Sequence, residues 1–184
     1  MKTNPLFHPL LIALAAAIIL PWLMGLAGLT TTSATEVVIF ALACMGLNLL
    51  AGYTGLVSFG HGAWFGLGAY IAALVALALP GDALVMPLLA AVVLTAILAA
   101  GFGWLMLRRR GVYFSLMTLA LSALGFTIAF RWTSVTGGEN GLGGVERPVL
   151  LGIDLTDNMN FYMLVALIAL LAAGLSMLWF NRIL

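Results

Sequence analysis

The sequence predicts an all-α, polytopic integral membrane protein of about six transmembrane helices, and three observations carry that prediction. Of its 184 residues, 64% are apolar and only 7% charged, with a mean hydropathy of +1.20; a soluble domain carries roughly a quarter of its residues as charges. The few charges separate long apolar runs, each about the length an α-helix needs to cross ~30 Å of hydrocarbon. Their signs are also sorted. With six spans, Lys2, Arg108, Arg109, Arg110 and Arg182 all fall on one side, and by the positive-inside rule that side is the cytoplasm, with the N-terminus on it.

Taken in order, the spans are expected at 9–29, 36–52, 62–79, 84–107, 111–130 and 160–180, in one transmembrane domain over residues 1–184. The first, with Pro21, Trp22 and Gly25 inside it, is longer than the apolar part of a cleavable signal and reads as a signal anchor or plain first span, although "GLTTTSA" follows it. In the second, Glu36 stands at an edge and Cys44, the single cysteine, reads as a small packing residue that can form no internal disulfide. Asn48 lies deeper, where an amide wants a partner helix or water.

Between the second and third spans, "GYTGLVSFGH" sets Gly52, Gly55 and Gly60 among Tyr53, Thr54, Ser58 and His61. Irregular backbone at membrane depth is tolerated only where protein buries it or it lines a water-filled cavity. This stretch therefore reads as either a short cytoplasmic turn or a glycine-rich broken element, around residues 52–62, beside a pathway. His61 fits a helix-capping or interface-level imidazole better than a proton relay, because the spans hold no carboxylate to relay with. In the third span, Gly62 and Gly66, or Ala69 and Ala73, share a helix face and would allow a neighbour to approach closely.

Arg108, Arg109 and Arg110 end the fourth span and act as a topology anchor, since three adjacent guanidinium groups resist translocation. The fifth span runs into the external segment 131–159, which holds Arg131 and Arg147 together with Glu139, Glu146, Asp154 and Asp157. Within it, "TGGENGLGG", residues 136–144, places Gly137, Gly138, Glu139, Asn140 and Gly141 in a turn-rich loop, either flexible or an ordered gate or docking surface. It lacks the lysine of a phosphate cradle. No paired carboxylates lie within the spans, and there is no metal-spaced His/Cys cluster and no HExxH. The chain thus reads as no enzyme, with no catalytic residue, metal or cofactor, and the near balance of seven basic and six acidic residues points to no nucleic-acid partner.

Three blocks, "GLNLLAGYTGLVSFGHGAWFGLGAYIAAL" (46–74), "RRRGVYFSLMTLALSALGFTI" (108–128) and "TSVTGGENGLGGV" (133–145), occur in the order and spacing of a known family. Together they resemble the LivM-type permeases of bacterial branched-chain amino acid ABC importers. The resemblance implies an inner-membrane permease subunit that provides part of a translocation pathway. Its partners would be a LivH-type second permease, two cytoplasmic ATPase subunits that hydrolyse ATP in its place, a periplasmic amino-acid-binding protein and the lipid bilayer. It also places Asn48, Gly52, Gly55, Ser58, Gly60, His61, Gly62 and Gly66 in close-packed, irregular helices near that pathway. Where the family often has Gln or Glu, this chain has Ala123. Family members run well beyond "WFNRIL", so the sequence is expected to be the N-terminal portion of such a permease. Two alternatives stay open: a urea or short-amide importer permease of the same family, and a small ATP-independent transporter or a non-functional truncated remnant.

Overall fold

The computed structural model describes residues 7–79, 84–109, 111–150 and 152–183. Six long helices follow one another: α1 (Phe7–Leu26), α2 (Thr31–Thr54), α3 (His61–Ala78), α4 (Val85–Met106), α5 (Val112–Arg131) and, after a short α6 (Thr133–Thr136), α7 (Asn158–Ile183). Between α6 and α7 lie a 3-10 turn, Gly138–Asn140, and two two-residue strands, β1 (Val149–Leu150) and β2 (Ile153–Asp154). Among the described residues, five helices, α2 to α5 and α7, are long and apolar enough to cross a membrane, while the apolar part of α1 covers Leu10–Leu26.

The predicted spans fall on these helices with shifted ends. α2 starts at Thr31, so Glu36 lies in its second turn, exposed, and not at its edge. It also continues through Gly52 to Thr54, which confines the predicted break to residues 55–60.

The chain divides into two compact units, residues 1–46 with 153–184, and residues 47–152. The first centres on Ala34 and Val38 of α2 and Tyr162 and Ala166 of α7, all buried, with Ala17, Leu20 and Met24 of α1 packed against them. Alanines at 34 and 166 allow the backbones to approach, which matters where lipid gives helices no hydrophobic drive to associate.

Pro21 explains the polar contact in this otherwise apolar packing. A proline within a helix has no N–H for the carbonyl four residues earlier, here that of Ala17. The Tyr162 hydroxyl of α7 donates its hydrogen bond to that same Ala17 carbonyl. The freed acceptor is thereby satisfied across helices, as an apolar surrounding demands. Tyr162→Phe is expected to lower stability by about 1–2 kcal/mol. In a Pro21→Ala background, where the backbone N–H restored at that position can reach the carbonyl, the same change should cost only a few tenths. Thermal unfolding of the four proteins in detergent checks this, and equal costs in both backgrounds would disprove the pairing.

Ahead of α7, Asp154 accepts hydrogen bonds from the Thr156 hydroxyl (2.7 Å) and backbone N–H (2.9 Å), while Asn160 Nδ2 donates to the Asp154 carbonyl (3.0 Å). The Thr156 side-chain bond, then the backbone bond, hold the Asp154 carboxyl below its usual range. A lowered carboxylate pKa stabilises the turn above about pH 4, and that contribution is lost as pH falls through the lowered value.

In the second unit α3 packs chiefly on α4 and secondarily on α5. Gly68 of α3 faces Thr95 of α4, a Cβ at Gly68 meeting Thr95 Oγ1 at 3.5 Å. One turn away Trp64 meets Phe102, ring centroids 6.0 Å apart and tilted 58°. Among the described residues no neighbour approaches Gly62 or Gly66 closely: a Cβ at either would meet nothing within 4 Å. Two residues amount to ~200° around a helix, so if Trp64 and Gly68 face α4, Gly62 and Gly66 face away from it.

Candidate functional site

The break between α2 and α3 is built from the sequence's most irregular stretch. α2 closes at Thr54, whose hydroxyl turns back to the Leu50 carbonyl (2.6 Å). Gly55 follows at φ +64°, its N–H donating to the Ala51 carbonyl (3.1 Å). A left-handed residue in this place ends helices and favours glycine, which has no Cβ to clash. The backbone then runs without helical bonding until α3 begins at His61.

That exposed run of backbone is held by α5. Ser115 Oγ donates to the Val57 carbonyl (2.6 Å), and the Phe59 N–H donates to Thr118 Oγ1 (3.1 Å). The Thr118 hydroxyl in turn donates to the Ser115 carbonyl (2.8 Å). Positions i and i+3 lie on one helix face, so the two side chains reach the break together. Ser58, Gly60, Ser115 and Thr118 are all buried. The contact sits about 5–9 Å along α5 from its first residue at 1.5 Å per residue.

Gly60 makes the approach possible. A Cβ built on it would lie 2.0 Å from the Thr118 carbonyl oxygen and 2.8 Å from its carbon. Both are backbone atoms in the middle of a helix and cannot swing aside as a flexible side chain would. Close contact, and not an unusual φ, is what requires glycine here, since Gly60 sits at φ −106°.

The other predicted residues are distributed around this contact. Asn48 and Gly52 lie one turn apart on α2, both exposed, with Asn48 Oδ1 3.7 Å from where a Gly52 Cβ would be. His61 opens α3 half-buried, and Gly62 is exposed. Ser115 and Thr118 were not singled out from the sequence, although two hydroxyls three residues apart in an apolar span signal a polar partner.

The loop that follows α5 is ordered in detail. Thr136 Oγ1 donates within reach of two carbonyls, Ala129 (2.5 Å) and Trp132 (2.8 Å), and receives the Gly138 N–H (3.3 Å). Gly137, at φ +76°, closes α6, and a Cβ there would meet the Gly141 carbonyl oxygen at 2.0 Å. The segment thus folds as a compact turn over the end of α5, with Glu139 and Asn140 exposed at its tip.

At the end of α4, Arg108 lies over the Trp104 ring, 4.1 Å from its centroid, and Arg109 is exposed. Arg110 lies outside the described residues. No group of three His, Cys, Asp or Glu side chains able to hold a metal ion occurs among the described residues. What the second unit offers chemically is a helix interruption whose peptide groups are satisfied by neighbouring hydroxyls.

A family model described as "Branched-chain amino acid transport system / permease component" matches residues 29–182. The chain is similar to the high-affinity branched-chain amino acid transport system permease protein LivM of Escherichia coli (strain K12), 30% identical over 204 aligned positions that cover 97% of this chain and 45% of that protein. It is also 29% identical to LivM of Salmonella typhimurium (strain LT2) over 180 positions, 82% of this chain and 40% of that one. It therefore spans less than half the length of the curated relatives it matches. No solved structure matches it. A multi-pass helical chain matched over residues 29–182 by this model, and aligned along 97% of its length with one LivM, belongs to the permease-component family of branched-chain amino acid transport systems.

Proposed function

We propose that this chain provides part of the translocation pathway of an ATP-driven importer for branched-chain amino acids. The observation that carries the reading is the family match over residues 29–182, and the interruption at residues 55–60, docked on α5 through Ser115 and Thr118, is where we place the route. A broken helix in a membrane protein persists where protein buries it or where it borders a water-filled route. Within this reading Asn48, Gly52, Gly55, Ser58, Gly60, His61, Gly62 and Gly66 flank the route. The turn Gly137, Gly138, Glu139, Asn140 and Gly141 belongs to the opposite, external side.

The importer's other parts are a LivH-type second permease, two cytoplasmic ATPase subunits and a periplasmic amino-acid-binding protein, at the inner membrane. ATP binding and hydrolysis occur in the ATPases. The N-terminus and the arginines at 108–110 lie on the cytoplasmic side, four of the six spans crossing between them. A cysteine placed at 109 should react with an impermeant maleimide only in inside-out vesicles; reaction in intact spheroplasts would reverse the topology.

The proposal is tested with the full permease reconstituted with these partners and radiolabelled leucine. Uptake should require ATP and be competed by isoleucine and valine but not by urea. Competition by urea or acetamide alone would favour the short-amide alternative, and uptake that persists with hydrolysis-dead ATPases would overturn the ATP-driven reading.

A further inference from the structure

We propose that Arg108 and Arg109, with Trp104, form a binding site for the phosphate of an anionic phospholipid at the turn joining α4 and α5. This rests on α4 and α5 being membrane spans and is independent of the transported substrate.

The geometry of Arg108 is the first argument. Its guanidinium carbon stands 4.1 Å from the Trp104 ring centroid, within the range of a cation–π contact, which attracts the charge to the ring face. A cation–π contact engages the charge and not a hydrogen-bond acceptor, so it does not itself occupy the planar fork of N–H donors, which matches a phosphate bidentately. The ring thus fixes the side chain without using the groups that bind an anion.

The surroundings supply the second argument. Trp104 is 68% exposed and Tyr113 71% exposed, and Leu105, Leu107 and Val112, their neighbours in sequence, are exposed as well. Tryptophan and tyrosine are enriched at headgroup level, and long basic side chains reach from apolar surface to that level. Exposed apolar residues at the end of a membrane span, followed in sequence by a basic pair, suit a ligand with both a phosphate and acyl chains better than a free anion. Charge adds the third argument, since no Asp or Glu occurs in the sequence between Asp82 and Glu139 to compete for these arginines.

The test is native mass spectrometry of the full permease chain released from micelles holding equal phosphatidylglycerol and phosphatidylcholine. Phosphatidylglycerol should be retained about 25-fold over phosphatidylcholine, roughly fivefold for each of the two arginines. Arg108→Gln with Arg109→Gln should lower its retention roughly fivefold per arginine removed. Arg108→Lys with Arg109→Lys keeps the charge and so the topology, but loses the planar fork, and should lower retention about two- to threefold. Trp104→Leu should do likewise by releasing Arg108. Inorganic phosphate at millimolar concentration should not displace the lipid.

Equal retention of the two lipids by the unaltered protein would overturn the proposal. So would undiminished phosphatidylglycerol binding in the glutamine variant, or displacement by inorganic phosphate, which would mark a free-anion site. If the glutamine variant loses its helical circular dichroism, the lysine and Trp104→Leu variants decide by the same criterion.

Discussion

Adding a single methyl group at Gly60 is expected to cut leucine uptake by the assembled importer at least tenfold and to lower the thermal midpoint of the purified permease by several degrees. The methyl would enter at 2.0 Å from a backbone carbonyl of α5. Neither the carbonyl nor the break can yield without separating Ser115 and Thr118 from their partners. Overpacking of this kind costs typically 1–3 kcal/mol, and more where only backbone can move. Gly62→Ala provides the contrast. It lies two residues further on, on α3, with nothing within 4 Å of its added carbon. Replacing glycine by alanine within a helix favours the helix by up to ~1 kcal/mol, so stability should hold or rise. Equal losses for the two substitutions would show that α5 does not press on Gly60.

The second large effect is expected from the hydroxyls themselves. Thr118→Val keeps the shape of the side chain but leaves the Phe59 N–H without its acceptor and removes the bond to the Ser115 carbonyl. Ser115→Ala leaves the Val57 carbonyl without its donor. Each should destabilise by about 1–2 kcal/mol, the range of a lost bond that orphans a partly buried peptide group. The double variant should fall short of the sum, because the two side chains form one network. Thermal unfolding measures the stability terms, and uptake should fall with them. Ser115→Thr, which keeps a donor, should retain most of the activity; if it behaves like alanine, steric fit and not hydrogen bonding explains the site.

How far the sequence alone reveals this contact depends on the kind of interaction. Helix-length apolar runs with charges at their ends are local, and all six runs fall on helices, because hydrocarbon thickness leaves little else for such runs to become. The interruption near Gly55 and Ser58 is also legible, since glycine at a left-handed position and a cluster of small polar residues act through the adjacent backbone. Its limits are less legible: Gly52 to Thr54 have glycine-rich, polar composition, yet helical bonding carries on through them to Thr54.

The partner of the break is a different matter. Val57 and Ser115 are 58 residues apart, and Phe59 and Thr118 are 59 apart. Nothing in a periodic pattern states which span lies beside which. Ser115 and Thr118 do carry a signal, as hydroxyls on one face of an apolar helix, but a hydroxyl can instead bond its own helix, as Thr35 does with the Thr31 carbonyl (3.1 Å). Gly62 and Gly66 show the same limit from the other side. Spacing alone marks a face open to close approach, yet within the described chain α3 meets α4 through Trp64 and Gly68. Glycine spacing gives a permitted contact, and the identity of the neighbour decides whether it forms.

The most direct measurement is hydrogen exchange at the Phe59 amide of the full permease in lipid nanodiscs. Docking of the break on α5 predicts strong protection at Phe59, in line with the first turns of α5, and its loss in Thr118→Val with α3 itself unaffected. Exchange at Phe59 as fast as in an open loop, and unchanged by Thr118→Val, would contradict the account at its centre.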